Sequence, residues 1–434
     1  MNDTEKRILR IIDDNAPRLQ ALADDLFTHP EQGWYETRTA AVAADFLQSL
    51  GLNVRTGLAV TGLRASVGTG KGPNIALIGE LDALKCPDHP ASRNGYAHSC
   101  GHYAQMVCML GAALALSDPE VASSLDGTAT FFAVPAEEFQ DAPLRERMRR
   151  EHDVHCGGGK CELLRRGAFD DIDMALTAHS HMVGRDSGAD LLLGNSASTG
   201  FVGKTVTIRG VASHAAASPD RGVNALNAAC LGLSALGMIR ETFREADCVR
   251  VHPVIREGGQ AINVVPSRAV VEMQVRANKI PVIGEISEKV NNCFRGAALA
   301  IGCTAEIEDA QGYLPCPEIL PTPLMFETAA LLGDCDVRSI PAGVCNTAST
   351  DVGDLCAVMP VMNFTFGGSV GALHTADYAV TDPYVAHILP AKMMALLAYR
   401  LLRDGAAAAK DYIAGYSPAM SLEEYKAYCR RMSP

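Results

Sequence analysis

NIALIGELDAL, Asn74–Leu84, is a short apolar run that breaks off into acidic residues, and its reading decides the fold. A run of this length and composition reads as a buried strand that delivers a carboxylate at its tip. The same form returns twice. GTATFFAVPAEE, Gly127–Glu138, ends in Glu137 and Glu138, and DIDMALTAHSH, Asp171–His181, ends in His179 and His181. Helical spacing over 103–116 and over most of 4–50 supplies the alternation of strand and helix that defines an α/β sheet wound with helices. Sites in such sheets gather at the carboxyl ends of the strands.

The texture changes near Ser196. KTVTIRGVASHAA, DCVRVHPVIREGG, SRAVVEMQVRA and CTAEIEDA read as strands. GVNALNAACLGLSALGMIR and VIGEISEKVNNCFRGAALAIG read as helices between them. Their order, βαββαβ, describes a small α+β domain inserted into the larger one. The expected division is therefore a catalytic domain of residues 1–195 and 312–434, with a mostly parallel sheet, and an inserted domain of 196–311. VMPVMNFTFGG and the helix after Pro383 close the larger domain.

Bulk properties narrow the function classes. The chain has 434 residues, 48% hydrophobic and 20% charged, as a globular enzyme of two domains would. A formal net charge of −12 disfavours nucleic acid and anionic membrane surfaces as partners. Fourteen cysteines without a C-x-x-C pair suit free thiols in a reducing compartment, so a cytoplasmic location is expected. The longest apolar stretches, such as MMALLAYRLL, are expected to fall short of a membrane span. GGGK at 157–160 is followed by Cys161 where a phosphate loop needs Ser or Thr, so it reads as a turn before a helix.

HSCGH, His98–His102, crowds three metal-binding side chains just ahead of the 103–116 helix. Partners come from the other strand ends: Glu138, His179 or His181, and His374 in GALHTADYAV. Thiolate, imidazole and carboxylate together fit zinc, manganese or cobalt better than magnesium or calcium. Successive residues of an extended segment point apart, so Glu138 can bind metal while Glu137 faces a metal-activated water as its general base. His98 reads as a turn residue or a support for the ligands. Met106, Met109, Met359 and Met362 read as core.

GELDAL, HSCGH, PAEE, GGGKCELLRRGAFDDIDMALTAH, GVASHAA, GGQAINVVPSRAVVEMQVRA, STDVGD and LHT stand in the order seen in the aminoacylase/carboxypeptidase G family of metallopeptidases. The chain most resembles the amidohydrolase branch that holds p-aminobenzoyl-glutamate hydrolase and the β-alanyl-dipeptide hydrolases. The resemblance implies a metal-dependent hydrolase that cleaves the amide of an N-acyl or aminobenzoyl amino acid or a dipeptide. It implies Cys100, His102, Glu138, His179 and His374 as ligands to one or two divalent metals, with Cys100 bridging. Glu137 is then the general base, and Asp82 the carboxylate that orients a ligand. The inserted domain becomes a dimerisation or lid domain of a homodimer or higher homo-oligomer. Its His214 would reach the partner's site to stabilise the oxyanion, while Asn263 and Arg276 would hold the small-molecule substrate.

The sequence also resembles 5-nitroanthranilate aminohydrolase, which implies hydrolytic deamination of an aromatic amine as the alternative reaction. Tyr103 after CGH, the segment Phe139–Cys156, and Ser180–His181 after the ligand-type histidine depart from the usual pattern, and all three adjoin the metal motifs.

Overall fold

The structure, a computed structural model, describes residues 1–181 and 188–432. The chain forms two units. The first comprises Met1–Ser196, Glu318–Val344 and Asp354–Tyr425; the second comprises Ala197–Pro317, Cys345–Gly353 and the chain from Lys426.

The first unit is built on an eight-stranded sheet. Its four middle strands, Thr128–Val134, Asn74–Glu80, Met174–Ser180 and Val361–Phe366, run parallel in that order. Gly62–Gly68 and Arg55–Leu58 extend one side antiparallel. On the other side Leu191–Leu193 lies antiparallel to Val361–Phe366 and parallel to Val337–Ser339. The middle strands are buried almost without interruption rather than at alternate residues. That pattern belongs to parallel strands covered on both faces, and it explains why the sequence shows solid apolar runs.

The helix His102–Leu116 is apolar all round and buried except at Leu114, as a central helix must be. It approaches the helix Leu389–Leu402 closely at Gly111, where a Cβ would lie 2.7 Å from that of Ala391. Met106, Met109 and Met362 belong to this core, and Met359 is buried. One expectation is corrected here. The helical run Tyr384–Leu402 does reach the length and apolarity of a membrane-crossing helix, although 89% of it is buried inside the protein. Core helices of this kind pass the same test because both environments exclude water.

The second unit has the βαββαβ order read from the sequence. Strands Gly200–Arg209, Arg250–Glu257, Arg268–Ala277 and Thr304–Gln311 form one antiparallel sheet, with helices Ala225–Ile239 and Ile280–Ile301 between them in the chain. Val206, Ile208, Val271 and Val275 pack against Ala228, Ala229, Val290 and Phe294 from the helices. Gly232 is needed there, since a Cβ would lie 2.5 Å from the Phe294 ring. All fourteen cysteines are free thiols.

Candidate metal centre

The parallel strands end at one edge of the sheet and their last residues turn toward one another. Cys100, His102 and His179 bring one ligand atom each within 4.8 Å of the others, and so do Cys100, Glu138 and His374. His102, Glu137 and Glu138 form a third such group. Cys100 Sγ therefore stands in two ligand triads. It lies 3.5 Å from His179 Nε2 and 3.2 Å from His374 Nε2, which is itself 3.2 Å from Glu138 Oε1.

The supporting contacts fix which atoms face this point. His102 Nδ1 lies 3.1 Å from Asp82 Oδ1 and 3.0 Å from the Asp82 carbonyl. Asp82 Oδ2 accepts the Glu138 backbone N–H at 2.9 Å, so one buried carboxylate sets two candidate ligands at once. His179 Nδ1 meets the Ser180 carbonyl at 2.9 Å. In both histidines Nδ1 is taken up by a carbonyl or carboxylate oxygen, so Nε2 is the atom turned toward the ligand point. Gly101, at φ 85, turns the chain so that Cys100 precedes the helix that His102 starts. A Cβ there would lie 2.2 Å from Ser180 Oγ, which donates to the Cys100 carbonyl at 2.9 Å.

The donor set fits a divalent transition metal. His102 Nε2 and Glu138 Oε1 are buried and make no hydrogen bond. Burial, with the charges of Glu80 and Glu138, pushes the Glu137 carboxyl up to about 8. Burial lifts Glu138 to about 7 and moves the Cys100 thiol upward. Burial and the neighbouring His102 hold His179 down at about 4, and the same two causes lower His374, so both are neutral. Burial opposes the His102 imidazolium, but Cys100 and Glu80 outweigh it; raised acids around that ring, with His179 and His374 neutral, describe a pocket that favours positive charge.

Three residues that sequence reasoning passed over support the centre. Glu80, buried at the strand end, lies 3.2 Å from His102 Nε2 through one oxygen and pairs with the buried Lys160 through the other. Glu36 is buried against the turn that carries Glu137. A charged residue ending an apolar run was the available signal for Glu80; nothing local marked Glu36 or Lys160.

The remaining expected residues fall elsewhere. His98 is outside the ligand groups, buried, with neither ring nitrogen hydrogen-bonded. His181 is tied to Thr365 Oγ1 at 2.8 Å and to the Ala189 carbonyl at 2.9 Å. Tyr103 packs among Phe27, His98 and His387. Segment 139–156 contains the helix Ala142–His152, capped by Asp141.

His214, Asn263 and Arg276 belong to the second unit. His214 is exposed, and its Nδ1 accepts N–H bonds from Ala216 at 3.2 Å and Ala217 at 3.0 Å, leaving Nε2–H as a donor. Asn263, also exposed, accepts the Ala215 N–H at 2.9 Å through its carbonyl and so lies beside the His214 turn. Arg276 is held by Gln274 and Ser349 and stacks over Phe201 at 4.8 Å.

Residues 196–300 match the peptidase dimerisation domain of the M20 family. The chain is 30% identical over 404 residues to the Xaa-Arg dipeptidase of Mus musculus, covering 86% of this chain and 82% of that protein. It is 32% identical over 330 residues to one of the subunits of the p-aminobenzoyl-glutamate hydrolase of Escherichia coli, covering 71% and 63%. A Bacillus subtilis protein described as a dinuclear metal-binding peptidase of the M20 family shares the fold, with a TM-score of 0.65 at 20% identity, over 89% of this chain and 98% of that one. The chain belongs to the M20 family of metal-dependent peptidases and amidohydrolases, enzymes that hydrolyse amide bonds. These relatives give no support to aromatic deamination, and that alternative is set aside.

Proposed function

We propose that this enzyme hydrolyses the amide bond of an N-acyl or aminobenzoyl amino acid or of a dipeptide, releasing an amino acid. The observation that carries the reading is Cys100 standing in two ligand triads with the Glu137 carboxylate alongside. The names of the relatives, an aminobenzoyl-glutamate hydrolase and a dipeptidase, support an amino acid as the leaving group.

Cys100, His102, Glu138, His179 and His374 would hold one or two divalent ions, manganese, zinc or cobalt, which polarise the scissile carbonyl and acidify water when bound. Glu137 takes the proton from the attacking water and returns it to the leaving amine. A carboxyl already lifted toward neutrality by burial suits both halves of that transfer. Asp82 orients His102 and the Glu138 backbone. The partner subunit's His214 donates its Nε2–H to the oxyanion, and the tautomer fixed by Ala216 and Ala217 supports that role. Arg276 and Asn263 hold the substrate's carboxylate and carbonyl.

The test is an amide panel with each metal: p-aminobenzoyl-glutamate, N-acetyl and N-benzoyl amino acids, and Xaa-Arg dipeptides. Products are read by mass spectrometry together with an ammonia assay. Release of a free amino acid is expected. Ammonia without an amino acid product would overturn the reading.

A further inference from the structure

We propose that Glu36 is a positioning residue for the general base, holding Glu137 in place through the backbone of Ala136. The inference rests on the reading of Glu137 as base. Glu36 is buried ahead of the helix Thr37–Ser49, far in sequence from every metal motif. Its Oε1 accepts the Ala136 N–H at 2.7 Å, and its Oε2 accepts the Thr61 hydroxyl at 2.6 Å.

Ala136 is the residue before Glu137, and its φ is +44, a region an L-residue with a Cβ enters only when its surroundings hold it. On the far side of Glu137, the Glu138 N–H donates to Asp82 at 2.9 Å. Two buried carboxylates thus grip the amides on either side of the base. The turn is closed on its other faces as well. The Gly159 N–H donates to the Ala136 carbonyl at 2.9 Å, and a Cβ at Gly33 would come within 3.0 Å of the Ala136 Cβ. With Glu36 removed, the Ala136 amide is left buried and unpaired, and the left-handed turn loses a hydrogen bond that holds it. Rotation about that turn swings the Glu137 carboxylate, while the ligand beside it, Glu138, keeps its own amide bond to Asp82, and Cys100, His102, His179 and His374 stand on other segments.

Glu36→Ala, Glu36→Gln and Glu137→Gln are compared with the unaltered full-length protein, loaded with manganese, on p-aminobenzoyl-glutamate or the best amide of the panel. Bound metal per chain is measured, as is hydrogen exchange of the Ala136 amide, which needs no turnover. In Glu36→Ala, kcat is expected to fall roughly 10- to 100-fold, with KM changed by less than about threefold, because a displaced base slows chemistry rather than binding. Metal content should be unchanged and Ala136 exchange about tenfold faster or more. Glutamine keeps an oxygen for the Ala136 amide, so Glu36→Gln should restore kcat to within about threefold. If Glu36→Ala does not fold, Glu36→Asp withdraws the oxygen from Ala136 while keeping a carboxyl group at the position, and must show the same loss of kcat.

The proposal fails if the alanine or aspartate variant keeps normal kcat, if the glutamine variant is as impaired as alanine, or if the loss follows lost metal. Unchanged Ala136 exchange overturns it whatever the turnover. Near-normal turnover in Glu137→Gln instead overturns the underlying reading of the base, a separate and distinguishable result.

Discussion

Glu137 shares a pocket with His102 and Glu138, and burial with its charged neighbours lifts its carboxyl to about 8. Glutamine copies its shape and leaves the five candidate ligands untouched. Glu137→Gln is expected to bind metal as the unaltered protein does and to lose turnover by roughly 10²- to 10⁴-fold. Normal metal content with near-normal kcat would remove Glu137 from that role. At this scale the sequence was informative where a rare residue type stood at a strand end, as with Cys100, Glu138 and His179. It was silent on Glu36 and Lys160, whose significance lies in partners about 100 and 80 residues away. Pattern alone left His179 and His181 as rivals, and the family resemblance chose His179. Adjacent alternation puts both on one side of a strand, and in the fold His181 is taken up by Thr365 and Ala189.

The element that carries the base is the turn from Pro135 to Glu138, wedged against the start of the helix Gly159–Arg165. A Cβ at Gly159 would lie 1.7 Å from the Pro135 carbonyl oxygen, far inside contact distance. Gly159→Ala must therefore push the turn away. Turnover is expected to fall at least about tenfold, because a displacement near 1 Å at the reacting groups is enough for that. Steady-state kinetics beside a melting curve checks it; unchanged kcat would show that the turn has room. The GGGK stretch is thus a packing device, as its reading as a turn before a helix implied. The helix Ala142–His152 escaped notice although Asp141 at its N-cap and Pro143 in its first turn are ordinary start signals. Its dense charge masked the weak apolar periodicity.

The whole molecule adds two expectations. If the partner subunit's His214 serves each site, Glu137→Gln and His214→Ala chains are inactive alone but complement when co-expressed. Mixed dimers then contain one intact site, giving about a quarter of normal activity for random pairing in a two-fold dimer. No recovery would place His214 in its own subunit's site or outside catalysis.

Stability of the metal-free protein should also depend on pH. Burial first, then nearby charge, raises Glu36 and Glu137 to about 8, and burial raises Glu138 to about 7. Burial opposes the His102 imidazolium, but Cys100 and Glu80 outweigh it and hold its pKa well above the ordinary value. Between about pH 6.5 and 8 the unfolded carboxyls have already lost these protons, while the folded ones hold them up to about 7 to 8, so stability falls as pH rises through that range. The lowered histidines do not offset this, since their contribution is complete above the unfolded value. In chelator the melting temperature should be lower at pH 8 than at pH 6.5, and added manganese should raise it more at pH 8. A flat or rising profile would contradict the assignment.

The sequence by itself determined the α/β class, the inserted βαββαβ unit and the kinds of ligand available, because strand burial, helical period and the scarcity of Cys, His and Glu in apolar runs are local properties. Tertiary structure alone decided how closely Cys100 approaches His179 and His374, that His181 is held by Thr365 and Ala189, and that Glu36 grips the turn before the base. Those facts are distances between segments far apart in the chain, and no local pattern encodes a distance across a fold.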